Sequence, residues 1–149
     1  MKAEIFRNEF LQAIVPAGWK WFLGIDAEGN ATPKKVHIFK DAKSEMDIFQ
    51  KAGITICYYE DARQYVLMKC LYDDVQDIES FKLGNYCWSG YTCKSFGYPY
   101  IMLETSEETD RILVIILTEN GQNKISFSDS DVQEIMKSIV AGKREGEYS

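Results

Sequence analysis

Four cysteines, a single histidine and a dense set of aromatic rings are where this chain of 149 residues could do chemistry. Six of the rings and two of the thiols fall together in YCWSGYTCKSFGYPYIML, residues 86–103. Such a stretch suits a redox or metal site, an aromatic ligand platform, or two strands meeting at a hairpin. Cys57, Cys70, Cys87 and Cys93 are widely and unevenly spaced and contain no C-x-x-C, so neither a zinc ribbon nor a thioredoxin-type motif is present. A two-residue turn at Ser89-Gly90 would pair Trp88 with Tyr91 and leave Cys87 and Cys93 on opposite faces, unable to bridge. A three-residue loop centred on Gly90 would instead set Cys87 across from Cys93 and permit a disulfide. In a reducing compartment the thiols default to small hydrophobes, so the hairpin without a bridge is the expectation.

The aromatics are ambiguous in a different way. Tyr86, Trp88, Tyr91, Phe96, Tyr98 and Tyr100 largely share parity within their strand runs. Cross-strand packing rewards that spacing, and so does a partner-binding surface, where Tyr and Trp are the usual anchors. The candidate partner-binding residues are Trp19, Trp21, Trp88 and Tyr91.

Acid–base and metal chemistry find little support. His37 stands alone, between Val36 and Ile38 in an alternating run and on the opposite face from both, as a strand histidine would. One imidazole and no thiolate cluster do not make a zinc site. Carboxylates such as Asp73-Asp74, Asp77, Glu79 and Glu107-Glu108 gather at expected turns and helix ends, where they cap donors or stay solvated. DAEGN (26–30) begins like a calcium loop but lacks the later ligands. No P-loop, G-x-G-x-x-G or G-x-S-x-G occurs. No catalytic, cofactor-binding or metal-ligating residue is nominated, and no cofactor is expected.

The elements that must position these residues read as follows. FLQAIV (10–15) is a strand stopped by Pro16-Ala17-Gly18, and Trp19 to Leu23 resumes as an aromatic strand. KVHIFK (35–40) alternates; DAKSEMDIFQKAG (41–53) is polar, then amphipathic, a short helix or structured loop; GITICYYE (53–60) is β-branched and aromatic. Ala62, Tyr65, Val66, Lys69 and Cys70 recur at helical spacing, predicting a mid-chain helix to about Tyr72. Further strands follow, of which RILVIILT (111–118) has the unbroken apolar run of a central strand covered on both faces. Ser130 with Gln133 makes a capping box, and Val132, Ile135, Met136, Ile139 and Val140 form one apolar face of a C-terminal amphipathic helix ended by Gly142. The order of elements implies an α+β fold, an antiparallel sheet with helices packed over it.

Composition bounds the partners. The chain is sized for one domain over 1–149, with 142–149 expected to fray. With 17 basic and 23 acidic residues the formal charge is -6. Phosphate-backbone binding draws on clustered Lys and Arg, and here only Lys34-Lys35 and Lys143-Arg144 stand together, so nucleic acid and anionic membranes are disfavoured partners. The start has no signal-peptide core and ILVIIL (112–117) is too short to span a bilayer, so a cytoplasmic location is expected.

The segment VPAGW (15–19) resembles the P-x-G-W start of the PsbP-like fold, a superfamily that includes a photosystem II extrinsic protein, a Ran-binding nuclear import factor and many bacterial proteins. The resemblance continues through NYCWSGYTCKSF, RILVIILT and the closing helix DVQEIMKSIV. It implies an α/β/α sandwich, a central antiparallel sheet flanked by helices. It also implies a non-enzymatic adaptor, assembly factor or chaperone for another protein, with Pro16, Gly18 and Trp19 shaping a turn. The chain departs from the lipoprotein branch by lacking a lipobox cysteine, and from the photosynthetic branch by lacking a transit peptide. The alternative is a small-ligand binder or an enzyme with a cleft between the sheet and the mid-chain helix.

Overall fold

A computed structural model describes residues 2–61, 69–105 and 109–142. Its centre is the strand the apolar run foretold. Strand β9 (Thr109–Leu117) sits fourth of seven in an antiparallel sheet, between β5 (Gly53–Asp61) and β8 (Tyr98–Thr105). Ile112, Val114 and Ile116 are completely buried on one face, while Leu113 and Leu117 are buried on the other. A strand apolar at every position needs cover on both sides, and only an interior place supplies it. Outward from β5 lie β4 (Ala31–Lys40) and β3 (Trp19–Ile25); outward from β8 lie β7 (Tyr86–Ser95) and β6 (Asp73–Leu83).

Two neighbouring rows of side chains cross all seven strands on opposite faces. One runs Leu23, Val36, Ile56, Val114, Leu103, Gly90, Ile78. The other runs Phe22, His37, Thr55, Ile115, Met102, Tyr91, Asp77. The first face carries the main core. Against it pack α1 (Ser130–Ser138) and a three-stranded sheet of β1 (Glu4–Arg7), β2 (Leu11–Val15) and β12 (Val140–Ala141). Val132, Ile135 and Met136 of α1 and Ile139 beyond it are fully buried. Each such side chain contributes about 1.5–3 kcal/mol through burial. A small hairpin, β10 (Glu119–Asn120) and β11 (Asn123–Lys124), precedes α1. Strand β12 pairs with β2, and Ile14 N donates to Ser138 Oγ at 2.8 Å across 124 residues.

Several expectations need correcting. The protein is mostly β and is not an α/β/α sandwich flanked by helices. Among the described residues α1 is the one α-helix. The amphipathic stretch after residue 41 yields a 3-10 turn over Glu45–Phe49, and the expected mid-chain helix falls on 62–68, outside the described residues, leaving a 3-10 turn at Lys69–Leu71. The acidic residues from Asp73 to Glu79 belong to an eleven-residue edge strand, β6, where solvent on one side suits them. No hairpin forms at Ser89-Gly90; β7 runs straight through it, and the turns fall at Gly84-Asn85 and Phe96-Gly97. Gly90 is required for another reason. A Cβ there would collide with the Met102 carbonyl oxygen of β8 and sit 3.0 Å from Leu103 Cα, so this glycine marks a close backbone approach. Cys87 and Cys93 therefore lie six residues apart on one strand, too far to bridge, and all four cysteines are free.

The helix cap also differs. Asp129, not Ser130, is the N-cap residue, and Gln133 Nε2 donates to Phe127 O at 2.6 Å rather than closing a box. The helix stops at Ser138, with Ile139 extended, because Val140 and Ala141 leave to pair with β2.

Candidate functional site

The four aromatic candidates are separated by the fold. Trp19 and Trp21 lie on β3 at one end of the sheet, Trp88 and Tyr91 on β7 near the other. Trp88 is fully buried, its Nε1 donating to Leu83 O at 3.2 Å; Trp19 is 7% exposed, its Nε1 donating to Asp131 Oδ2 at 3.1 Å. Each indole N–H thus satisfies its donor inside the core, as a buried tryptophan must. Tyr91 is buried beneath Lys69, whose ammonium stands 5.5 Å from the ring centroid. Trp21 alone of the four opens to solvent, at 36%, its ring centroid 4.8 Å from that of Phe6.

On the other face of the sheet, beneath the β3 end, lies apolar surface the sequence did not single out. The 3-10 turn Glu45–Phe49 packs Ile48 inward against Phe22, Phe39, Ala42 and Leu117, and turns Met46 and Phe49 outward. Those two are 68% and 70% exposed, and Ile25 at the end of β3 is 60% exposed. Their exposure does not come from a loose turn. Asp47 Oδ2 accepts from Lys43 N at 2.7 Å and Ser44 N at 3.3 Å, and these backbone hydrogen bonds hold its carboxyl below the usual aspartate range. Asn120 Nδ2 donates to Phe49 O and Lys51 O, and Asn123 Nδ2 to Gln50 O, so β10–β11 clamps the turn from behind.

Between this turn and the sheet runs a groove of about 190 Å³ lined by Phe22, Leu23, Ile25, His37, Met46 and Phe49, with Glu45 and Ile48 completing its wall. His37 is half-buried, and its Nδ1 lies 2.7 Å from Thr55 Oγ1. Desolvation, helped by the nearby Lys35 charge, pushes its pKa down to about 4. The imidazole is neutral at physiological pH, so the floor of the groove is uncharged.

The groove borders an open sheet edge. Strand β3 ends the seven-strand order, and its seven residues, WKWFLGI, carry one charge. The opposite edge, β6, bears Asp73, Asp74, Asp77 and Glu79 and two register irregularities, features that discourage pairing with another strand. The two ends of the sheet differ chiefly in charge: β6 carries four carboxylates, whereas β3, whose pairing with β4 has one register shift, carries a single lysine.

No family model matches this sequence, and no curated protein matches it. Solved structures do. A solution structure of the cyanobacterial PsbP protein CyanoP from Synechocystis sp. PCC 6803 superimposes with a TM-score of 0.55 at 10% identity, covering 94% of this chain and 92% of that one. A crystal structure of a Bacteroides thetaiotaomicron protein gives a TM-score of 0.54 at 13% identity over 98% of this chain. This chain spans half the length of that Bacteroides protein. The chain has a PsbP-like fold.

On this PsbP-like fold a second cavity, of about 700 Å³, opens at the β3–β4 turn and includes Asp26, Glu28, Lys34, Lys35, Cys57 and Tyr59. Burial pushes the Cys57 thiol up to about 11 and the Tyr59 phenol up to about 12. Both are protonated near neutral pH, so they offer hydrogen bonds rather than a nucleophile. Among the described residues no group of three or more His, Cys, Asp or Glu is placed to hold a metal ion, and no helix is long and apolar enough to cross a membrane. The signal for the groove lay in SEMDIFQ, where Met46 and Phe49 sit among polar neighbours. An amphipathic reading assigns both to a core, and only the fold turns them out.

Proposed function

We propose that this chain is a non-enzymatic protein-binding module that takes an extended segment of another protein at the β3 edge, with one apolar side chain seated in the adjoining groove. The observation that carries this reading is the pairing of an edge strand that bears a single charge with an apolar groove whose floor histidine is uncharged and whose walls, Met46 and Phe49, are held exposed by a clamped turn. Strand addition draws affinity from main-chain hydrogen bonds and specificity from pockets for side chains beside the edge. Trp21, flanking the same edge, adds a partly exposed indole of the kind that anchors interfaces.

The experiment is affinity capture from lysate of the source organism with wild type and Phe49→Asp side by side. Phe49 is largely exposed, so the variant folds. A protein retained in stoichiometric amount by wild type and lost by the variant supports the reading. Equal retention moves the interface away from the groove, and no retained protein overturns the binding role.

A further inference from the structure

The β7–β8 connection is a two-residue turn, Phe96-Gly97, and both residues have positive φ, +51° and +83°. That is the mirror-image hairpin turn matched to strand twist, whose first central position favours Asn, Asp or Gly. Phenylalanine is poorly suited to it, because its Cβ crowds the backbone in the left-handed region. Nor does the ring recover anything by packing, since Phe96 is 96% exposed, with Tyr98 beside it at 44%. A bulky apolar residue that strains its own turn and buries nothing lowers folding stability where it stands, and such a residue suits a contact made outside the chain.

We propose that Phe96 is a knob for a second copy of this chain, seated in the groove beside the 3-10 turn of its neighbour. The proposal rests on the groove being a docking site, as argued above, and makes Phe96 of a second copy the competitor of the partner segment for it. Size agrees: a cavity of about 150 Å³ lined by apolar side chains accepts a benzene ring, and this groove offers about 190 Å³ walled by Phe22, Leu23, Met46 and Phe49. Charge agrees as well. Lys94, two residues before the knob, stands 3.8 Å from Asp74 and remains half exposed. The groove has Glu45 in its wall. Seating the ring brings Lys94 toward Glu45 of the neighbour and leaves the neutral His37 floor against the aromatic. Knob and groove are different surfaces, so the contact is heterologous; it closes into a dimer or ring only where the rotation allows.

Sedimentation equilibrium over a concentration series tests this with four proteins. Wild type is expected to self-associate. Phe96→Asn, which suits the turn better, should stay folded and associate about tenfold or more weakly, as loss of an interface anchor does. Glu45→Lys should weaken association, and Glu45→Lys combined with Lys94→Glu should restore it, since the swapped charges meet only between copies. A wild type monomeric throughout the series overturns the proposal, as does association indifferent to Phe96→Asn. A monomer that still loses its captured protein on Phe49→Asp would overturn the second-copy occupant while leaving the binding role intact.

Discussion

His37 makes the fold sensitive to mild acid, by an amount the structure sets. In the unfolded chain the imidazole takes a proton near pH 6.5, whereas in the fold it does so near 4, because the half-buried ring sits over an apolar groove with Lys35 close by. Between these values the unfolded chain binds a proton that the folded chain refuses. Stability contributed by the neutral ring is therefore complete above about pH 6.5, falls as pH drops toward 4, and levels off below it. For a fully sheltered ring the difference corresponds to roughly 3 kcal/mol; partial exposure to solvent reduces this to about 1–2 kcal/mol. The assay is urea unfolding of wild type and His37→Gln at pH 7.5 and pH 4.5. Carboxylates titrate in both proteins and cancel in the difference. Wild type should lose about 1–2 kcal/mol more than the variant on acidification. Equal losses, or a histidine resonance titrating near 6.5 in the folded protein, would refute the reasoning.

Three further outcomes follow from geometry already described. Gly90→Ala forces β7 away from β8 at the Met102 carbonyl, and thermal unfolding should show a loss of about 2–4 kcal/mol; an unchanged midpoint would mean the strands part at no cost. Phe96→Asn should raise stability by about 0.5–1 kcal/mol, read by the same unfolding assay, by relieving the positive-φ strain. A thiol reagent under native conditions should label Cys70 and Cys87 quickly and Cys57 and Cys93 only as the protein opens, which timed mass spectrometry resolves.

What the sequence disclosed depended on how many faces of an element were buried. The run at 112–117 announced a central strand because both its sides meet protein, and Val132, Ile135 and Met136 announced a helix because one side does. The alternation of Val36 and Ile38 placed β4 and its histidine correctly. Strand β6 was hidden because an edge strand can be acidic and irregular and still pair, so DDVQDIESFKL shows no period of two. Gly90 misled because a glycine needed for close strand approach and one needed for a turn look alike in a sequence. Of the groove's lining the sequence singled out His37, and as a strand histidine rather than a site residue. Met46 and Phe49 carry the hydrophobicity of core residues, and their outward direction follows from Asn120 and Asn123, some seventy residues on, gripping the backbone of their turn.

The partnership of β12 with β2 has a consequence for how this molecule comes into being. Residues 11–15 cannot complete their small sheet until residues 140–141 exist, and Gly142 N then closes onto Phe10 O at 2.6 Å. During synthesis the early strands must wait, with Leu11, Ala13 and Val15 uncovered, until every strand of the large sheet and α1 have emerged. A ribosome stalled anywhere before that point leaves an adhesive, unfinished product. The last short strand is thus the latch of the fold, and its removal would be felt first in yield and refolding rate.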